Sequence, residues 1–242
     1  MNNKAMKFIK SLVLLPLVLL LVGCGTTSTV PITGRKQHLL VSNEQVMSLA
    51  NEQYQQYMRT AKLSTNASNT AMVKRVGQRL ANAVTSYLNQ HGEGEELKQY
   101  RWEFNLVQDN SANAFCMPGG KIVVYEGLLP ITKNETALAI VLGHEIAHAV
   151  ARHSAERLSS QLKAQYGAAA LGLILSGSGA SQATQELGQQ VYGLGAQYGV
   201  MLPYSRKNES EADYMGLIFA AIAGYNPQEA VAFWQRMNAG GG

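Results

Sequence analysis

The chain has 242 residues, enough for one large domain or two small ones, and 46% apolar against 15% charged residues excludes disorder over most of its length. Its net charge of +4 overstates how basic the body is, because Lys4, Lys7 and Lys10 supply three of those charges and residues 1–23 hold no acid. A body this close to neutral lacks the electrostatic footprint of a nucleic-acid binder.

Residues 1–23 predict a secretion signal. A lysine-bearing start leads into an uninterrupted apolar run over 12–22, about half of the roughly 20 residues a spanning helix needs, and the run contains Pro16. The end, Leu21-Val22-Gly23-Cys24, resembles the bacterial lipobox. That resemblance implies cleavage before Cys24, a lipid on Cys24, and attachment to the cell envelope. With no Asp after Cys24, the expected site is the outer membrane, facing the periplasm. The only other cysteine, Cys116, then has no disulfide partner and reads as a small buried hydrophobe. Residues 24–42, small and polar with Pro31 and Gly34, read as the lipid-anchored tether.

Ser42, with Gln45 three residues on, predicts a capping box and a helix over about 43–61. After a turn at "STNAS", Met72, Val73, Val76, Leu80, Val84 and Leu88 keep a helical period and predict a helix over about 67–90. The period then changes. Trp102, Phe104 and Leu106 alternate with Arg101, Glu103 and Asn105, as in a half-buried strand. Pro118-Gly119-Gly120 between two β-prone runs predicts a hairpin. From about Glu135 the chain reads as mostly helical. Its 166–202 stretch, rich in Gly, Ala, Ser and Gln, fits either a helical pair packed through small residues or a lid over a cleft. The expected fold is α+β: a mainly helical domain over 43–242, with a small sheet or hairpin beside one chemistry-bearing helix.

That helix contains "VLGHEIAHAVARH", residues 141–153. At roughly 100° per residue, with His144 as origin, His148 falls near 40° and Glu145 near 100°, while His153 falls near 180°. The upstream "TALAIVLG" is apolar almost all round and predicts burial. Two imidazoles and a carboxylate buried without partners cost several kcal/mol, and a divalent cation held by both imidazoles offsets this. Residues four apart stack one turn above another, so His144 and His148 can share one zinc ion (Zn2+), with Glu145 beside it as a general base. Two core histidines with satisfied hydrogen bonds are the plainer alternative.

A catalytic zinc takes three protein ligands. The HExxHxxGxxH pattern needs Gly at 151 and His at 154, where this chain has Ala151 and Ser154, so His153 reads as supporting or structural. In "SRKNESEADYMG", Glu209 and Asp213 share a helix face, and Glu211 lies about 200° from Glu209. Glu209 can ligate while Asp213 accepts from the far N–H of a ligand histidine. A solvated acidic helix start is the other reading. Arg206 is expected to neutralise this cluster or help position Glu209, and Glu211 to carry surface charge only.

HExxH followed by "SR…E…AD", and preceded by "NAF…PGGKI…GLL", resembles the gluzincin metallopeptidases related to CAAX prenyl proteases and the bacterial heat-shock membrane protease. It comes nearest the periplasmic lipoprotein members, over roughly residues 43–233. The resemblance implies zinc ligands His144, His148 and Glu209, base Glu145 and supporting Asp213. It also implies a strand that binds extended polypeptide substrates near Asn113 and Ala114. The implied function is a zinc endopeptidase acting on unfolded or misassembled envelope proteins; the rival is a lipid-anchored assembly factor or chaperone. Many relatives continue into a C-terminal segment with an "HP" pair, where this sequence reads "NAGGG".

Overall fold

The computed structural model describes residues 26–163 and 205–239. The signal segment, Cys24 and the glycine-rich 166–202 stretch lie outside the described residues.

The capping box forms as its sequence predicts. The Ser42 hydroxyl accepts from the Gln45 N–H, and the Gln45 side chain accepts from the Ser42 N–H, opening helix α1 (Asn43–Thr60). Helix α2 (Ala67–Gln90) buries Val73, Val76, Leu80, Val84 and Leu88 on one stripe, with Met72 half-buried at its edge.

Three strands follow: β3 (Glu103–Val107), β4 (Ala114–Met117) and β5 (Lys121–Tyr125). The β4–β5 hairpin turns through Gly119 (φ 89°) and Gly120 (φ 86°), a conformation that suits glycine. A Cβ on Gly120 would also stand 2.8 Å from the Trp102 ring. The strand order is β3-β5-β4, with β3 parallel to β5 and β4 antiparallel to it. Among the described residues, β4 therefore keeps an unpaired edge.

One expectation needs correction. The stretch read as a tether contains strands β1 (Thr26–Thr29) and β2 (Lys36–Leu39), paired antiparallel and docked on the body. Its polar composition conceals two long-range anchors. Gln37 is buried and donates to the Ala151 carbonyl, and Arg35 pairs with Glu156 and Glu211.

The remaining elements are helical: α3 (Leu129–Thr132), α4 (Glu135–Val150), α5 over 153–163, α6 (Arg206–Ile222) and α7 (Glu229–Ala239). Asn134 caps α4 by accepting from the Ala137 N–H. Leu138, Leu142 and Ile146 on α4 are completely buried, each worth about 1.5–3 kcal/mol of apolar burial. This helix is the hub, packed against α2, α6, α7 and β4. Its contact with α6 is close because Gly143 faces Gly216: a Cβ on Gly216 would lie 2.6 Å from the His144 backbone nitrogen.

After Val150 the chain turns sharply. Arg152 adopts φ 55°, so α4 ends and α5 sets off in a new direction. The fold is α+β and mainly helical, with the small sheet against the central helix. Among the described residues, no helix is long and apolar enough to cross a membrane.

Candidate metal centre and its cleft

His144 and His148 lie one turn apart on α4, with their Nε2 atoms 3.0 Å apart. Two imidazole nitrogens on one tetrahedral zinc stand roughly 3.3 Å apart, given bonds of about 2.0–2.1 Å. Glu209 arrives from α6, its Oε2 3.5 Å from His144 Nε2 and its Oε1 3.7 Å from His148 Nε2. All three ligand atoms lie within 4.8 Å of one another. Two nitrogens and a carboxylate oxygen are the donors that a catalytic zinc uses, so this trio fits such an ion.

The electrostatics also favour a cation. Burial disfavours a charged His144, yet the Asp213 and Glu209 carboxylates outweigh it and lift its pKa to about 10. Burial pushes His148 down to about 4. The two imidazoles facing it hold the Glu209 carboxyl well below the usual range. Asp213 stands behind His144: its Oδ1 is 2.8 Å from His144 Nδ1. An ionised carboxylate only accepts, so Nδ1 donates and Nε2 is the nitrogen turned to the cluster.

Glu145 sits beside this trio and outside it. Desolvation raises its pKa to about 7 and the nearby Glu209 adds to the rise, while His144 and the main-chain N–H of Cys116 oppose it. The bond from Cys116 shows which way β4 faces. Tyr125 donates its N–H to the Asn113 carbonyl (3.0 Å), so Asn113 and Phe115 face β5, while Ala114 and Cys116 turn their main-chain groups to the open edge. Ala114 and Asn113 line a cavity of about 90 Å³ that reaches His144 and Glu145, with Val141, Phe233 and Trp234 on its apolar side. The Cys116 side chain is buried and its thiol pKa is pushed up by desolvation, as expected of a small core residue.

Two expectations fail here. Arg206 is exposed at the start of α6 and makes no ion pair among the described residues, because the Glu209 oxygens face the histidines instead. Glu211 does leave the Glu209 face, but inward and not to the surface: it is 8% exposed. Thr33 donates to its Oε1 (2.6 Å) and Arg35 Nε to its Oε2 (2.8 Å). Burial raises the Glu211 pKa, but Arg35, Thr33 and His153 overcome this and bring it to about 2. His153 is completely buried between His148 and Glu211, with 2.9 Å contacts to each. Helical extrapolation put it on the far side, and the turn at Arg152 brings it back. The sequence shows Glu211 as a third acid in one cluster, but its partners lie 176 and 178 positions earlier.

The peptidase family M48 model matches residues 67–240. The chain is 35% identical over 216 residues to the mitochondrial metalloendopeptidase OMA1 of Schizosaccharomyces pombe, covering 88% of this chain and 58% of that protein. It is 31% identical over 211 residues to human mitochondrial metalloendopeptidase OMA1, covering 86% and 39%. Over 212 residues it is 30% identical to the beta-barrel assembly-enhancing protease of Yersinia pestis, covering 86% and 40%. The chain thus spans less than two thirds of the length of each of these relatives.

Proposed function

The chain belongs to peptidase family M48, and from that membership we propose that it is a zinc-dependent endopeptidase of the bacterial cell envelope, hydrolysing unfolded or misassembled proteins. The carrying observation is the convergence of His144, His148 and Glu209 beside a half-buried Glu145. In this reading those three are the ligands of one zinc and Asp213 orients His144. A zinc held there supplies Lewis acidity, drawing charge from the scissile carbonyl and easing the deprotonation of water.

The chain's own residues do the rest. Glu145, with a pKa near neutrality, accepts the proton of the attacking water and passes it to the leaving amine. The Cys116 N–H holds the Glu145 carboxylate in place. The open edge of β4 at Ala114 pairs with the main chain of an extended polypeptide, which makes binding tolerant of sequence. The lipobox resemblance supports reading the domain as anchored by Cys24 to the outer membrane, facing the periplasm. The name of the Yersinia pestis relative favours envelope assembly machinery as a partner.

The test is casein cleavage by the purified chain, with and without a chelator, beside Glu145→Gln. The variant should keep its zinc and lose at least about 100-fold in turnover, since a general base contributes on the order of 10²–10⁴. Near-normal turnover by zinc-loaded Glu145→Gln overturns the mechanism. Suppression of aggregation by a cleavage-dead variant, with no proteolysis by the wild type, favours the assembly-factor reading.

A further inference from the structure

We propose that Glu211 and His153 are positioning residues for His148, and that the N-terminal β1–β2 hairpin completes this support through Arg35 and Thr33. The inference rests on the zinc-site reading above and extends it to residues outside the ligand set.

Glu211 is a carboxylate and only accepts. Its Oε2 lies 2.9 Å from His153 Nε2, so that nitrogen carries a proton and donates. Arg35 already supplies Glu211 with a counter-charge at 2.7 Å, so the completely buried His153 is neutral and its Nδ1 has a lone pair. That Nδ1 lies 2.9 Å from His148 Nδ1 and accepts a hydrogen bond from the N–H there. His148 is then protonated on Nδ1 and turns the lone pair of Nε2 to the ligand cluster. Asp213 fixes His144 directly; Glu211 fixes His148 through one intervening imidazole.

Glu211 is itself held by a segment far away in sequence. Arg35 also forks onto Glu156, with Nη1–Oε1 at 2.7 Å and Nη2–Oε2 at 2.8 Å, and Glu156 accepts from Asn208 at 2.8 Å. The guanidinium therefore clamps α5 to α6, and His153 and Glu211 stand on those two helices. The N-terminal hairpin is in this sense part of the metal centre's support.

The test uses the full chain in detergent and reads zinc affinity by chelator competition, separately from peptide cleavage. His153→Gln offers an amide oxygen to His148 and an amide N–H to Glu211, and should hold zinc within about threefold. His153→Leu offers neither and should bind zinc about 10–100-fold more weakly, the range for lost ligand support. Melting of the metal-free variants checks folding. Equal zinc affinity in Leu and Gln variants, whether both unchanged or both weakened, overturns the relay. So does nitrogen NMR of the zinc-loaded wild type if His153 carries its proton on Nδ1, a measurement independent of any variant's folding. A wild type that binds zinc but cleaves nothing defeats the peptidase reading alone. A wild type that binds no zinc defeats both.

Discussion

Glu209 and Asp213 stand on one face of α6 and do different work at the same pair of histidines. Glu209 faces both Nε2 atoms, and Asp213 takes only the far nitrogen of His144. Glu209→Ala should therefore lose most zinc and essentially all cleavage, and Asp213→Ala only about 10–100-fold in affinity or activity. Metal content and casein turnover of the two purified variants decide this; greater zinc loss from Asp213→Ala would reverse the roles. Glu211 makes a prediction about pH. Arg35, Thr33 and His153 face it, and its pKa falls from an ordinary 4.5 to about 2. A carboxyl lowered on folding contributes stability above its unfolded pKa and loses it as pH falls through the folded value. The metal-free chain should thus lose melting temperature between about pH 4.5 and 2, with a flatter decline in Glu211→Gln. Parallel declines would show that the Glu211 charge has no such role.

At the scale of elements, the site depends on how closely α4 and α6 approach. Gly143 and Gly216 let the backbones meet, which brings Glu209 to the histidines. Gly216→Ala would put a Cβ 2.6 Å from the His144 nitrogen, and backbone atoms yield less easily than side chains. Overpacking of this kind costs about 1–3 kcal/mol, so both melting temperature and zinc affinity should fall. A stable Gly216→Ala with unchanged zinc binding would show that the helices separate without disturbing the ligands. Much of this architecture was legible in sequence where the signal is local. The Ser42–Gln45 box, the period of α2 and the Gly119-Gly120 turn each act within a few residues. The parallel pairing of β3 with β5 carries no such mark, since it joins residues such as Glu103 and Lys121 across the intervening β4. Helical geometry placed Asp213 with Glu209, yet misplaced His153, because one positive φ at Arg152 resets the direction of the chain. It also put Glu211 off the ligand face without revealing that Arg35 waits there.

At the scale of the whole molecule, the N-terminal hairpin changes how an anchor on Cys24 would act. A free tether over 24–42 would let the body swing on a long leash. With β1 starting at Thr26, only Gly25 separates Cys24 from the folded body, so a lipidated Cys24 would hold the domain close to the bilayer. Arg35 lies in that same hairpin, but its bonds to Glu156 and Glu211 are internal to the chain and require no membrane. Anchoring and metal support should then separate experimentally. Cys24→Ser should abolish acylation and lipoprotein-type processing, while the purified variant keeps wild-type zinc affinity and cleaves soluble casein normally. Lipid labelling and membrane fractionation read the first effect; chelator competition and casein turnover read the second. Unchanged processing, together with no lipid on the wild-type cysteine, would refute the lipobox reading. A folded Cys24→Ser protein short of zinc would mean that the anchor holds the hairpin in place, and with it Glu211 and His153 behind His148.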